Sequence, residues 1–148
     1  MNLTRRGWDV TAVDFVPRAL DIAHAKTTEA GVDVQYVKAD VTDMGDVVVG
    51  DFAPLLDVGC FHGLKPQHQS ACMQQIQAVR RPGATLLMLA FQPGRRPPVP
   101  LPRGASRQEL EQMFVGWHVI GDDAADTSCL SAPVKRAAPH SFWLRRRS

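Results

Sequence analysis

The stretch Val10-Thr11-Ala12-Val13-Asp14-Phe15 decides the fold that we predict for this chain. Its β-branched and small apolar residues predict a short buried strand, and this strand ends in an acid. Pro17 follows at once and suits the first position of a helix. In open α/β folds, ligands bind beyond the carboxyl ends of parallel strands. Asp14 therefore lies where such a fold would place a ligand.

Two interpretations of Asp14 follow from its position at the end of this strand. A carboxylate has two acceptor oxygens and no donor, which suits the vicinal hydroxyls of a ribose. The same position also suits an aspartate that caps the amino terminus of the following helix. The local pattern leaves both interpretations open.

The remaining pattern alternates between strands and helices. Helices are predicted over 17–30, over 70–81 and after the capping box that begins at Ser106, and strands over 10–13, 32–39, 54–60, 84–91, 117–120 and 141–144. This order predicts an α/β sheet with helices on both faces. Because no helical pattern separates the last two strands, we expect an antiparallel pair at the carboxyl-terminal edge. The proline-rich stretch 92–104 is either a lid over a site or a surface connection.

Composition limits the classes of function. The 148 residues are 45% hydrophobic, which is enough for a core, and a net charge of +2 is too small to argue for nucleic acid binding. No apolar run approaches the ~20 residues that a membrane helix needs. Three cysteines are too few and too scattered to indicate a disulfide framework or a zinc site. We therefore expect a cytoplasmic protein with reduced thiols and no bound metal.

Four features in order resemble the class I S-adenosylmethionine-dependent methyltransferases. They are Thr11-Ala12-Val13-Asp14, Lys38-Ala39-Asp40-Val41, Arg81-Pro82-Gly83-Ala84 with the apolar strand after it, and the closing pair of strands. The resemblance runs from about Leu3 to Arg145, and the small-molecule branch is nearest. It implies a three-layer Rossmann-like sheet, mostly parallel with an antiparallel carboxyl-terminal edge. It also implies S-adenosylmethionine as cofactor and a small-molecule methyl acceptor, which no motif specifies.

The resemblance also implies roles for individual residues. Cofactor-binding positions carried over from the family are Asp14, Phe15, Asp40, Val41, Cys60 and Phe61. Asp14 would hold the ribose and Asp40 the adenine edge. His62 is the only candidate for a catalytic base, and the alternative is a loop histidine bonded to backbone.

The chain departs from the family at its amino terminus. The family's first strand and glycine-rich loop should precede Leu3, and they are absent. The stretch 55–63 spells D-x-G-C-x-x-G, which is similar to that loop, but the next strand ends in Ala90-Phe91-Gln92 without an acid. We therefore assign it to the fourth strand of the family. The expectation is one amino-terminally incomplete domain over 1–148 that is marginally stable, self-associates through open strand edges, or pairs the neighbouring strands directly.

Two other classes of function stay open. One is a non-catalytic remnant of a methyltransferase domain that binds no cofactor, and the missing glycine-rich loop favours it. The other is a nicotinamide-binding oxidoreductase fragment, in which an acid at the position of Asp14 also holds a ribose. That class predicts no role for Asp40 and no antiparallel edge.

Overall fold

A computed structural model describes residues 3–93, 104–128 and 131–146. The chain divides into two compact units, Met1–Val49 and Gly50–Ser148. Each unit has its own sheet, with two strands in the first and four in the second. Most of the proline-rich stretch 92–104 lies outside the described residues. That residues 1–148 act as a single domain stays a prediction.

The first unit is a β-α-β arrangement. It consists of β1 (Thr11–Asp14), α1 (Pro17–Glu29) and β2 (Gln35–Lys38). The two strands are parallel, in a register that runs from Thr11 opposite Gln35 to Asp14 opposite Lys38. The hydroxyl of Tyr36 on β2 donates to Oγ1 of buried Thr27 on α1 at 3.3 Å. The helix is thereby tied to the sheet, and the carboxyl ends of both strands meet at one edge.

The second unit contains the larger sheet. Its elements are β3 (Leu55–Val58), α2 (Pro66–Val79), β4 (Thr85–Phe91), α3 (Arg107–Met113), β5 (Trp117–Ala124), α4 (Ala132–Arg136) and β6 (Pro139–Arg146). The strand order is β3-β4-β6-β5. β3 and β4 are parallel, whereas β6 is antiparallel to both β4 and β5. The prediction of an α/β fold with an antiparallel carboxyl-terminal edge is confirmed.

Two details of the sequence-based prediction were wrong. α2 begins at Pro66 rather than at residue 70, because Pro66 occupies the first turn, where its missing N–H is not needed. The short helix α4 lies between the last two strands, where its five residues are too few to show a helical period.

The core of the second unit lies on one face of β4. Leu86, Met88 and Ala90 are buried, and the residues between them are less so. Across the ladder, Leu86 lies opposite Leu144 and Met88 opposite Phe142, both of which are fully buried. This alternation is the period of two that a strand with one fully covered face requires.

A capping box fixes the start of α3. The Oγ of Ser106 accepts the backbone N–H of Glu109 at 3.2 Å, and the N–H of Ser106 donates to the Glu109 carboxylate at 2.8 Å. Two amides at the helix start are thereby satisfied. The capping box predicted from the sequence is confirmed.

Four strands of the described chain lie at a sheet edge. β1 and β2 pair only with each other, β3 pairs only with β4, and β5 pairs only with β6. Leu56 and Val58 on β3 are 58% and 65% exposed, respectively. None of the described helices has both the length and the apolar character needed to cross a membrane.

Candidate functional site

The carboxyl ends of β1 and β2 bring two acids to one edge of the first unit. Asp14 is the last residue of β1, and its partner Lys38 lies just before Ala39 and Asp40. The amide of Ala39 donates to the backbone carbonyl of Asp14 at 3.2 Å, which continues the pairing beyond the strands. The two acids therefore follow neighbouring parallel strands at the same end of the sheet.

The carboxylate of Asp14 is only partly used by the protein. Its Oδ1 accepts the N–H of Val16 at 2.8 Å, and Val16 is the residue that caps α1. Its Oδ2 has no hydrogen-bond partner among the described residues. Asp14 thus stabilises the turn that leads into α1 and still has one acceptor oxygen for a ligand.

Asp40 is engaged more fully than Asp14. Its Oδ1 accepts both the N–H of Thr42 at 2.8 Å and the Thr42 hydroxyl at 2.7 Å. Apolar groups accompany the two acids, because Phe15 follows Asp14 and is 68% exposed, and Val41 follows Asp40 and is partly buried. An aromatic ring this exposed is free to stack on a planar ligand. The edge therefore combines carboxylate acceptors with an apolar surface.

In the second unit, Asp57 shapes the loop that leaves β3. Its carboxylate accepts the N–H of Cys60 at 3.1 Å through Oδ1 and that of Phe61 at 2.9 Å through Oδ2. Burial raises the pKa of Asp57, and the backbone hydrogen bonds from Phe61, Cys60 and Gly59 oppose that shift. The sequence marked Asp57 only as part of a motif-like stretch. The structure shows that both of its oxygens are spent on the backbone of the loop.

The three loop residues chosen from the sequence have different surroundings. Cys60 is exposed. Phe61 is fully buried, and its ring packs on Phe114 with 5.0 Å between ring centroids. A ligand has no access to the Phe61 ring in this conformation. Of the residues proposed around the loop, Cys60 alone presents its side chain to solvent.

His62 is buried without hydrogen-bond partners. It is 5% exposed, and neither Nδ1 nor Nε2 has a partner among the described residues. Its ring meets that of Phe91 edge-on, with 5.1 Å between centroids. Burial lowers the pKa of His62, so its imidazole is neutral at physiological pH. The alternative of a loop histidine bonded to backbone is not found in the described part of the chain.

A histidine–aspartate pair on β5 and β6 was missed by the sequence analysis. Nδ1 of His140 lies 2.8 Å from Oδ1 of Asp122. The sequence pattern alone gives His140 no role beyond packing on an edge strand. No local signal could have joined two residues whose proximity depends on strand register. Among the described residues, no group of three or more histidines, cysteines or acids could hold a metal ion.

Comparison with known proteins identifies relatives of this arrangement. The sequence model of a family described as methyltransferase domain matches residues 1–83. No curated protein sequence matches the chain. Among solved structures, a SAM-dependent methyltransferase from Methanosarcina mazei has a TM-score of 0.78 at 12% identity, with 99% of this chain and 85% of that chain covered.

Two further solved structures are similar over a smaller part of their own length. The 1,6-didemethyltoxoflavin-N1-methyltransferase of Burkholderia thailandensis, solved with 1,6-didemethyltoxoflavin and S-adenosylhomocysteine, has a TM-score of 0.70 at 20% identity, with coverage of 97% of this chain and 64% of that one. TehB from Haemophilus influenzae has a TM-score of 0.72 at 13% identity, with 98% and 52% covered. The chain thus spans about half to two thirds of these two proteins. Likeness at such identities shows the fold, and it agrees with the α/β class.

Proposed function

Because the chain belongs to the methyltransferase domain family, we propose that it is an S-adenosylmethionine-dependent methyltransferase that acts on a small molecule. The observation that carries the proposal is the Oδ2 of Asp14 at the carboxyl end of β1, which accepts no hydrogen bond from the described residues. A carboxylate oxygen in this position accepts hydrogen bonds from ribose hydroxyls, and the nucleoside part of the cofactor supplies such a diol.

The residues at this edge fit the nucleoside part of the cofactor. Asp14 binds the ribose hydroxyls, while Phe15 and Val41 supply apolar surface for the adenine ring. Asp40 accepts from the edge of the adenine. When bound, S-adenosylmethionine supplies an electrophilic methyl group on a sulfonium. The chain's part is to hold and orient the groups that react.

Three residues of the second unit have roles that stay predictions from the resemblance. Cys60, which is exposed, and Phe61 are cofactor-binding positions by the resemblance alone, and His62 is the catalytic base on the same ground. The ring of Phe61 is fully buried against Phe114. The antiparallel pairing of β5 with β6 favours a methyltransferase over the nicotinamide-binding alternative, which predicts no such edge.

The small-molecule acceptor, the location and the self-association are parts of the same proposal. A small acceptor is supported by the bound 1,6-didemethyltoxoflavin of the Burkholderia thailandensis enzyme, which has a similar fold, and by the low net charge of +2. The sparse cysteines support a cytoplasmic location. The open edge of β3, with exposed Leu56 and Val58, supports pairing with a second copy of the chain.

The test is a calorimetric titration of the chain with S-adenosylhomocysteine. We expect binding by the wild type and a loss of about tenfold or more for Asp14→Ala, because a hydrogen bond to a charged group contributes about 1.5–3 kcal/mol. Asp33→Ala is the matched control, since Asp33 is an exposed acid that precedes β2, at the opposite end of the same sheet. The control should bind like the wild type.

Each alternative class predicts a different result in the same titration. No binding of S-adenosylhomocysteine by the wild type would refute the proposal and favour the non-catalytic remnant. Binding of NAD⁺ that Asp14→Ala abolishes, with no binding of S-adenosylhomocysteine, would favour the oxidoreductase fragment. Equal affinity of the wild type and Asp14→Ala would show that the ribose is not held by Asp14.

A further inference from the structure

Asp122 and His140 form a partly buried pair in the second unit. Their side chains are each 26% exposed, and Nδ1 of His140 lies 2.8 Å from Oδ1 of Asp122. In the antiparallel ladder, His140 lies opposite Ala124 and Asp122 opposite Phe142, so the contact is diagonal. Because both residues lie within paired strands, the backbone fixes the separation of the two side chains.

The pair lies at the end of the sheet where α/β folds bind ligands. On its other side, His140 is paired with Ala90, the residue before the end of β4. The parallel neighbour β3 ends at the same level, because the amide of Gly59 donates to the carbonyl of Leu89 at 3.1 Å. His140 thus lies level with the carboxyl ends of both parallel strands of this unit, and β4 is its direct neighbour.

The hydrogen bond to Asp122 determines what the other nitrogen of His140 can do. When Nδ1 carries the proton and donates it to the carboxylate, Nε2 presents a lone pair. No described residue forms a hydrogen bond with Nε2. A carboxylate behind an imidazole also stabilises the imidazolium that forms when Nε2 takes a proton. The partial exposure of the side chain leaves this nitrogen within reach of a small molecule.

A purely structural role explains less of this arrangement. As an isolated, partly exposed ion pair, Asp122 and His140 would contribute about 0–1 kcal/mol to stability. His62, the base suggested by the sequence, is less suited to contact a substrate, because both of its nitrogens are buried. His140 combines an orienting carboxylate, a second ring nitrogen that no described residue contacts by a hydrogen bond, and partial exposure.

We propose that His140, positioned by Asp122, is a general base of the second unit and that its substrate is a small molecule with a protic group: a hydroxyl, a thiol or an N–H group. The X–H bond of this molecule breaks, its proton goes to Nε2 of His140, and the electron pair stays on X. The imidazolium then releases its proton to solvent.

The first test is the tautomer of His140 in the free protein, determined by long-range ¹H–¹⁵N NMR of the imidazole in its neutral form. We expect the proton on Nδ1 in the wild type and loss of that preference in Asp122→Ala. A proton on Nε2 in the wild type would overturn the proposal, because Nε2 would then be a donor. This measurement needs no cofactor, so it stands even if S-adenosylhomocysteine does not bind.

The second test uses 4-nitrophenol, a weak acid, as the small molecule whose hydroxyl gives its proton to His140. At a pH where the free probe is mostly protonated, we expect the wild type to bind it as the phenolate, seen by absorbance. His140→Gln should lose this signal, Asp122→Asn should weaken it, and His118→Gln, an exposed histidine on β5, should keep it. No ionisation by the wild type, or ionisation retained by His140→Gln, would overturn the proposal. Calorimetry with S-adenosylhomocysteine on the same variants should show unchanged affinity.

Discussion

Replacing His62 by phenylalanine is expected to stabilise the second unit. His62 is 5% exposed, and its two ring nitrogens have no partner among the described residues. A buried polar group without a partner costs about 1–3 kcal/mol, so the two ring nitrogens together cost about 2–6 kcal/mol. Phenylalanine keeps an aromatic ring against Phe91 and removes both nitrogens, although its larger ring opposes the gain by about 1–3 kcal/mol. We expect a net increase of about 1–3 kcal/mol in the free energy of unfolding at neutral pH.

The gain should depend on pH in a defined direction. Burial lowers the pKa of His62 from the ordinary value of 6.5, so below 6.5 the unfolded chain binds a proton that the folded chain resists. The wild type therefore loses stability as the pH falls through 6.5, by at most about 1.4 kcal/mol per pH unit from this group. His62→Phe lacks this contribution. The stability difference between variant and wild type should widen as the pH falls.

Urea unfolding at a series of pH values above and below 6.5 measures both effects. Tryptophan fluorescence follows mainly the second unit, because two of the three tryptophans, Trp117 and Trp143, lie on β5 and β6, while Trp8 lies in the first unit. His118→Phe is the control, since His118 is exposed on β5. It should give neither the increase in the free energy of unfolding nor the change in its pH dependence that we expect of His62→Phe. The reasoning is refuted if His62→Phe is less stable than the wild type and both respond alike to acid. In that case the nitrogens of His62 are satisfied in solution.

Two further predictions concern backbone geometry and helix capping. Gly104→Ala should lower the free energy of unfolding by about 2–5 kcal/mol, because Gly104 has φ +85° and an added Cβ would clash with the backbone oxygen of Phe91. Gly83→Ala, at φ +71° in open space, should cost only about 1–2 kcal/mol, and equal losses in urea unfolding would contradict this account. Ser106→Ala should lower the free energy of unfolding by about 1 kcal/mol, because it removes the cap of α3. Ser131→Ala should lower it little, because Ser131 makes no side-chain cap at α4. Thermal unfolding of the two variants tests this difference.

The parts of the fold that were predictable from the sequence depend on local signals. β1 and the helix after it follow from a short apolar run, an acid and Pro17, all within a few neighbouring residues. The start of α3 follows from the spacing of Ser106 and Glu109, because a capping box is a contact between residues three apart. In each case the physical interaction lies within one turn or one strand, and the sequence displays it directly.

The parts that were not predictable depend on contacts between distant elements. The Asp122–His140 pair requires β5 and β6 to align in one register, and a bulge between Val119 and Gly121 changes which residues of β5 face β6. A shift of one residue would turn Asp122 to the opposite face. The burial of His62 likewise depends on the ring of Phe91, which belongs to another strand. Neither the contact of Asp122 with His140 nor the burial of His62 can be predicted from the residues next to them in sequence.

Three acids in or just after strands of this chain show why position alone does not identify a binding residue. Asp57 spends both carboxylate oxygens on amides of its own loop, and Asp40 uses one oxygen for two bonds from Thr42. Asp14 accepts a single bond from Val16 and keeps Oδ2 free among the described residues. A carboxylate already satisfied by backbone gains little from a ligand hydroxyl, whereas a free oxygen gains a full hydrogen bond. Asp14 is therefore the acid whose removal should weaken ligand binding most while disturbing the local backbone least.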